Sequence, residues 1–268
     1  MYAFDYHRPT SARQAADLAS QFEDMKFLAG GHTLLPTMKM RLAGPTNLVD
    51  LGQIAELRGI ERSGDTLSIG AMTKHAEVAH SADVRQAIPA LAELAEVIGD
   101  PHVRNRGTMG GSVANNDPSA DYPAACLALN ATIVTDRREI AADDFFQGIF
   151  TTALDEGEII TRIAFPVPSQ AAYAKFRNPA SRYALVGVFV ARFADGVRMA
   201  VTGAGSNGVF RMPEMEQALA QNFAPEALNG IAAPEDEMNS DIHADAAYRA
   251  HLVGVMTRRA VQAAASRS

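Results

Sequence analysis

The chain has no tryptophan, a single cysteine and no excess of positive charge. Cys126 alone rules out an intrachain disulfide, and it cannot supply the four thiolates of a self-contained iron–sulfur cluster. It lies in the apolar run Pro123 to Ala131, where a free thiol is expected as a buried core residue. Lys and Arg number 24 against 31 Asp and Glu, a formal net charge of −7. With no basic block, that balance argues against nucleic acid as a partner. The longest uncharged stretch, Tyr122 to Thr135, is too short to span a bilayer, so no transmembrane segment is expected. Nor does the N-terminus show a signal-peptide pattern, so a soluble, cytoplasmic chain is expected. The seven histidines include no HExxH spacing, and His75 and His80 would face different sides of a helix. No metal site is expected.

What the chain has in quantity is apolar side chains, 47% of 268 residues, enough for one large or two modest domains. Strands are expected at Tyr2–His7, Lys26–Ala29 and Leu48–Leu51. Helices are expected from a Ser11 N-cap to about Gln21 and over Pro36–Leu42, with Met38 and Leu42 pointing inward. These make a small βαβ-type lobe over about residues 1–52. A larger lobe, about 53–168, has a strand at Thr66–Ile69 and helices at Lys74–His80, Pro89–Ile98 and Tyr122–Leu129. It closes with a strand at Thr132–Thr135, a helical turn at Asp143–Phe146 and a strand at Ile159–Phe165. Pro166-Val167-Pro168-Ser169-Gln170 is the expected boundary. Beyond it, Ala171–Arg177, Tyr183–Phe193 and Val197–Thr202 read as three strands, with an Asp195-Gly196 hairpin turn between the last two. Helices at Pro213–Gln221 and Ala244–Ala265 end the chain. The class is α+β: a domain over 1–168, then a smaller domain over 169–268 with a three-stranded antiparallel sheet plus helices.

Two glycine pairs carry most of the chemical information. One is Ala29-Gly30-Gly31-His32-Thr33, and the other is Thr108-Met109-Gly110-Gly111-Ser112. Each follows an expected strand or turn and has hydroxyls alongside. Consecutive N–H donors unobstructed by Cβ atoms can wrap a phosphate oxygen, because glycine tolerates the left-handed angles such a nest needs. Two such loops can hold the two phosphates of a dinucleotide.

The pairs stand inside longer landmarks. The first runs on through Leu34-Leu35-Pro36-Thr37-Met38-Lys39-Met40-Arg41-Leu42 to Leu48-Val49-Asp50-Leu51. Others are Ile69 to Thr73, Asp100 to Gly107, Phe150-Thr151-Thr152, Gly157 to Ile160, Lys175-Phe176-Arg177 and Ala180-Ser181-Arg182. The tail from Ala247-Tyr248-Arg249 to Arg258-Arg259-Ala260 joins them. Over nearly its whole length the chain resembles the FAD-binding (medium) subunit of the molybdenum hydroxylase family. That family takes in carbon monoxide dehydrogenase medium chain-like proteins and the xanthine dehydrogenase FAD domain. It departs at Ser112, where the family commonly has Asn, and after Gly203, where the usual Pro-rich turn is missing.

The resemblance implies a two-lobed FAD-binding domain of the vanillyl-alcohol-oxidase/p-cresol-methylhydroxylase type. It implies FAD contacts from Ala29, Gly30, Gly31, His32, Thr33 and Leu34, and from Thr108, Met109, Gly110, Gly111 and Ser112. It places Asp121 near the adenosine half, accepting from ribose hydroxyls, although the same residue also reads as an N-cap for the helix at Tyr122. Ile160 would pack on the flavin ring or serve as strand core. Lys175 would counter negative charge on the reduced ring, and Tyr183 would cover a ring face. The plain alternatives are an exposed strand lysine and a half-buried tyrosine. No catalytic acid, base or nucleophile is expected.

By the same resemblance, the molybdenum cofactor belongs to a large partner subunit and two 2Fe-2S clusters to a small one, in a dimer of heterotrimers. This chain would then carry electrons through FAD to a quinone or NAD. The rivals are a stand-alone flavin oxidoreductase of the same fold and a non-catalytic nucleotide-binding assembly module. One decoy is set aside. Gly203-Ala204-Gly205-Ser206-Asn207-Gly208 fits G-x-G-x-x-G, but Val209 to Pro213 push the next helix past the last glycine. A Rossmann site needs that helix to start within the glycines, so this is a turn.

Overall fold

The computed structural model describes residues 1–267. Its first lobe contains β1 (Asp5–His7), α1 (Ala12–Ala19), β2 (Met25–Leu28), α2 (Leu34–Lys39) and β3 (Asn47–Asp50). The strands lie parallel in the order β1-β3-β2, as crossover connections require. Ser11 caps α1, its hydroxyl accepting the Gln14 N–H at 3.1 Å. The inward place expected for Leu42 is overturned. α2 stops at Lys39, the Leu42 N–H bonds back to the Thr37 carbonyl at 2.9 Å, and Arg41 turns left-handed. Met38 is buried, but Leu42 is left 75% exposed.

The middle of the chain opens with β4 (Ile60–Ser63), β5 (Thr66–Gly70), α3 (His75–His80), α4 (Ala82–Ala87), α5 (Pro89–Glu96) and α6 (Pro101–Arg104). There follow α7 (Met109–Asn115), α8 (Tyr122–Ala128), β6 (Thr132–Thr135), β7 (Glu139–Ala141) and α9 (Ala142–Phe145). β8 (Phe146–Gly148), β9 (Thr151–Thr152) and β10 (Ile160–Pro166) complete it. An antiparallel five-stranded sheet runs β4-β5-β10-β6-β7. Buried Ile163 and Phe165 alternate along β10 with less buried neighbours, which fits a strand with one face on the core. α4 is an addition to the sequence reading, and α6 escaped it because four residues are too short to show a period.

The last part holds β11 (Gln170–Arg177), β12 (Ala184–Phe193), β13 (Gly196–Thr202), β14 (Phe210–Arg211), α10 (Pro213–Gln221) and α11 (Ala246–Ala265). Its sheet is four-stranded, in the order β11-β12-β13-β14, so the expected three strands need correction. β14 adds only the pairs Ala200 with Arg211 and Val201 with Phe210, and two residues carry no alternation to read. β12 is buried on both faces. Val186, Val188 and Val190 join the core under α10 and α11, while Phe189 and Ala191 join the core of the five-stranded sheet and its helices. The two sheets are thus welded through one shared core. Among the described residues, no helix is long and apolar enough to cross a membrane.

Candidate functional site

β2 delivers the first glycine pair. Gly31 has φ 76, the left-handed angle that reverses the chain from β2 into α2. Among the described residues, the N–H groups of Gly30, Gly31, His32, Thr33 and Leu34 find no protein acceptor. Thr33 occupies the N-cap position of α2 but makes no side-chain cap. His32 and Thr33 are exposed, and Leu34 is half-buried. Neighbouring backbone donors without acceptors are what an anion-binding concavity is made of.

The second pair is a different object, and the expectation of a second open loop is corrected. Gly110 and Gly111 lie in the first turn of α7, whose N-cap Thr108 accepts the Gly111 N–H at 3.2 Å. The N–H of Met109 bonds to Thr73 O (3.0 Å), that of Gly110 to Ala71 O (2.8 Å) and that of Ser112 to Thr108 O (3.1 Å). Glycine is required here by crowding. A Cβ on Gly110 would stand 2.5 Å from the Ala71 Cβ, and one on Gly107 would stand 2.5 Å from His75 Nε2. The two segments abut: a Cβ on Gly111 would meet the Ala29 Cβ at 3.3 Å, and one on Gly30 would meet Arg106 O at 2.4 Å. Ser112, half-buried, keeps a hydroxyl with no protein partner among the described residues. Behind Gly107, burial pushes the His75 imidazole down to about 4, with smaller contributions from His32 and Arg104. Its ring packs against Tyr122, 5.3 Å between centroids.

Asp121 and Lys175 come together. Lys175 Nζ lies 2.9 Å from the Asp121 carboxylate and also donates to Val97 O at 3.3 Å. The Tyr173 hydroxyl donates to the same carboxylate. Asp121 stands at the head of α8 but makes no capping bond, because both its oxygens are taken by β11. Lys175 is no exposed cation, since its side chain is 4% exposed. Burial raises the Asp121 pKa, opposed by the Lys175 charge and by hydrogen bonds from Tyr173 and Lys175. Sequence reading missed Tyr173, although its position two residues from Lys175 on one strand puts both side chains on the same face.

Tyr183 is 58% exposed rather than half-buried. It borders a cleft of about 290 Å³ with Ser119, Asn178, Asp241, His243 and Arg249. Ile160 is buried in the core of the five-stranded sheet. Cys126 is buried, which pushes its thiol pKa up. No helix begins in Gly203–Gly208; the next is α10.

With this geometry in place, likeness to known proteins decides the family. Residues 2–168 match the FAD binding domain in molybdopterin dehydrogenase. The chain belongs to that family. It is 38% identical to the carbon monoxide dehydrogenase medium chain of Hydrogenophaga pseudoflava, covering 98% of each chain. It is also 38% identical to the nicotine 6-hydroxylase medium subunit of Paenarthrobacter nicotinovorans, covering 99% of each. A solved structure of carbon monoxide dehydrogenase from Hydrogenophaga pseudoflava matches with a TM-score of 0.90 at 37% identity, over 99% of this chain and 98% of that one. The resemblance carried by the glycine segments is borne out, and the fold is the family's α+β FAD-binding fold. The residues present fit FAD: the N–H groups from Gly30 to Leu34 are available to phosphate oxygens, at a loop that a Gly31 Cβ would strain.

Proposed function

We propose that the chain binds one FAD non-covalently and serves as the electron-carrying subunit of a molybdenum-containing hydroxylase. The observation that carries this reading is the run of acceptor-free N–H groups from Gly30 to Leu34, abutting the second glycine segment. Bound there, FAD would supply the electron-carrying chemistry. The protein's part is to bind and orient. Residues 29–34 would hold the diphosphate, with the Ser112 hydroxyl beside them. Asp121, buried and held by Lys175 and Tyr173, would fix the segment leading into α8, and Tyr183 would offer an exposed aromatic face. In this reading, electrons enter from 2Fe-2S clusters on a small partner subunit fed by a molybdenum-bearing large one. They leave to a quinone or NAD. Near full-length likeness to proteins named medium chain or medium subunit supports a place in such an assembly.

The test starts with the chain reconstituted with FAD. Acid precipitation should release all yellow colour into the supernatant. A chain that takes up no flavin would sink the reading, and flavin retained in the pellet would contradict non-covalent binding. The reconstituted chain alone should oxidise no aldehyde or N-heterocycle; turnover at enzymatic rates would install the stand-alone flavoenzyme instead.

A further inference from the structure

Residues 116–121 form neither helix nor strand, yet they are fastened from two sides. On one side stands Asn116, the left-handed C-cap of α7 with φ 43. Its side-chain amide donates to Gly148 O (2.8 Å) and Thr151 O (2.9 Å), and its main-chain carbonyl accepts the Phe150 N–H (3.1 Å). On the other side stands the C-terminal sheet. The buried Thr202 hydroxyl at the end of β13 shares its proton between Ala120 O (2.6 Å) and Pro118 O (3.0 Å). The Gly203 N–H donates to Pro118 O at 2.8 Å, while Tyr173 and Lys175 hold Asp121. Within the segment, Asp117 Oδ1 accepts the Ser119 N–H (2.8 Å) and Asp117 O accepts the Ala120 N–H (2.9 Å).

Connecting segments commonly run over the surface, are mobile and bond to water. Here the carbonyls of a connection are bonded to side chains and backbone of a sheet that lies far away in sequence. Thr202 follows Met199, Ala200 and Val201, all fully buried, so a valine of nearly the same shape would suit the packing. The hydroxyl is therefore there for Pro118 and Ala120. One polar atom in the segment is left over: Asn116 Oδ1 is buried without a partner among the described residues. Native proteins rarely leave such an atom unsatisfied, and this one caps the end of α7, the helix that carries the second glycine pair in its first turn.

We propose that Thr202 and Tyr173 are positioning residues for cofactor binding. They hold the Asn116–Asp121 segment in the form that receives FAD, so the C-terminal sheet controls FAD affinity through a segment of the other domain. This rests on the reading that FAD lies along Asp121. Titration of the full-length chain with FAD, followed by flavin fluorescence, compares Thr202→Val, Thr202→Ser and Tyr173→Phe with wild type. Apoprotein thermal unfolding is measured alongside. Loss of one buried hydrogen bond should weaken FAD about tenfold in Thr202→Val and in Tyr173→Phe, with an altered visible band of bound flavin. Thr202→Ser, which keeps the hydroxyl, should stay within about twofold of wild type on the same grounds. If Thr202→Val fails to fold, Tyr173→Phe decides. Wild-type affinity in the folded variants, with only a lowered unfolding temperature, would overturn the proposal and leave an ordinary interdomain fastening. A wild-type chain that binds no FAD would overturn the cofactor reading itself, a separate failure.

Discussion

At Gly30-Gly31 the backbone N–H groups have no protein acceptor among the described residues, whereas at Gly110-Gly111 they turn onto Ala71 and Thr108. The same dipeptide serves two physical needs. Gly31 is a glycine of angle, since its φ of 76 is one that side chains with a Cβ rarely adopt. Gly110 is a glycine of contact: its backbone is helical, and any Cβ would enter the space of Ala71. The first pair leaves its donors free for the cofactor proposed above, and the second commits its donors to the protein. They cooperate because the second brings α7 close enough to support the first from beneath, with Gly111 beside Ala29.

Substitution should split the two pairs cleanly. Gly31→Val should abolish FAD binding, at least about 100-fold, while the apoprotein stays folded. Its neighbour there is the flexible Leu35 side chain, and the strain falls on the loop's angle. Gly110→Val should act the other way, destabilising the apoprotein by about 3 kcal/mol or more through overpacking against Ala71. Equilibrium dialysis with circular dichroism and urea unfolding separates them. Wild-type affinity in Gly31→Val would make the first loop a mere turn. Unchanged stability in Gly110→Val would erase the contrast.

His75 sharpens the comparison from behind the second pair. Its imidazole titrates near 4 when folded and near 6.5 when unfolded, so between those values the unfolded chain binds one more proton. Stability is then fully present above about pH 6.5 and is lost as pH falls toward 4, by up to about 3 kcal/mol. Urea midpoints from pH 7 to 4.5 should fall, and His75→Gln should flatten the slope. NMR titration of the ring gives the direct check. A His75 that titrates near 6.5 in the folded chain would mean water reaches the space behind Gly107.

Much of this was legible in the sequence, for identifiable reasons. Ser11, Pro89, Asp195-Gly196 and the unbroken apolar run of β12 announce local structure, and the corresponding elements stand where those signals put them. The glycine segments were legible as important but not as different. Whether a glycine is there for its angle or for a close approach depends on what lies across from it, and Ala71 and His75 are distant in sequence. For Asp121 the sequence offers a local N-cap beside the ribose contact that the resemblance implies, and the partners Lys175 and Tyr173 reach it only through the packed sheet. Leu42 was read inward because helical periodicity was extended past a stop made by backbone bonding to Thr37.

The smallest predicted effect tests the second pair at its cap. Thr108 accepts the Gly111 N–H at a long 3.2 Å, and among the described residues no other side chain serves the start of α7. Removing an N-cap hydroxyl costs about 1 kcal/mol, so Thr108→Ala should lower the apoprotein unfolding temperature by roughly 2–4 °C. Thr108→Ser keeps the oxygen and should restore it. Because the donors of α7 are engaged by protein, FAD affinity should change far less than in Gly31→Val, by no more than about threefold if the loss stays within the helix. Calorimetry and flavin titration on the same preparations compare the two readouts. Should Thr108→Ala weaken FAD more than tenfold at an unchanged unfolding temperature, the hydroxyl would be a phosphate contact. The second pair would then share the phosphate-holding role proposed for the first.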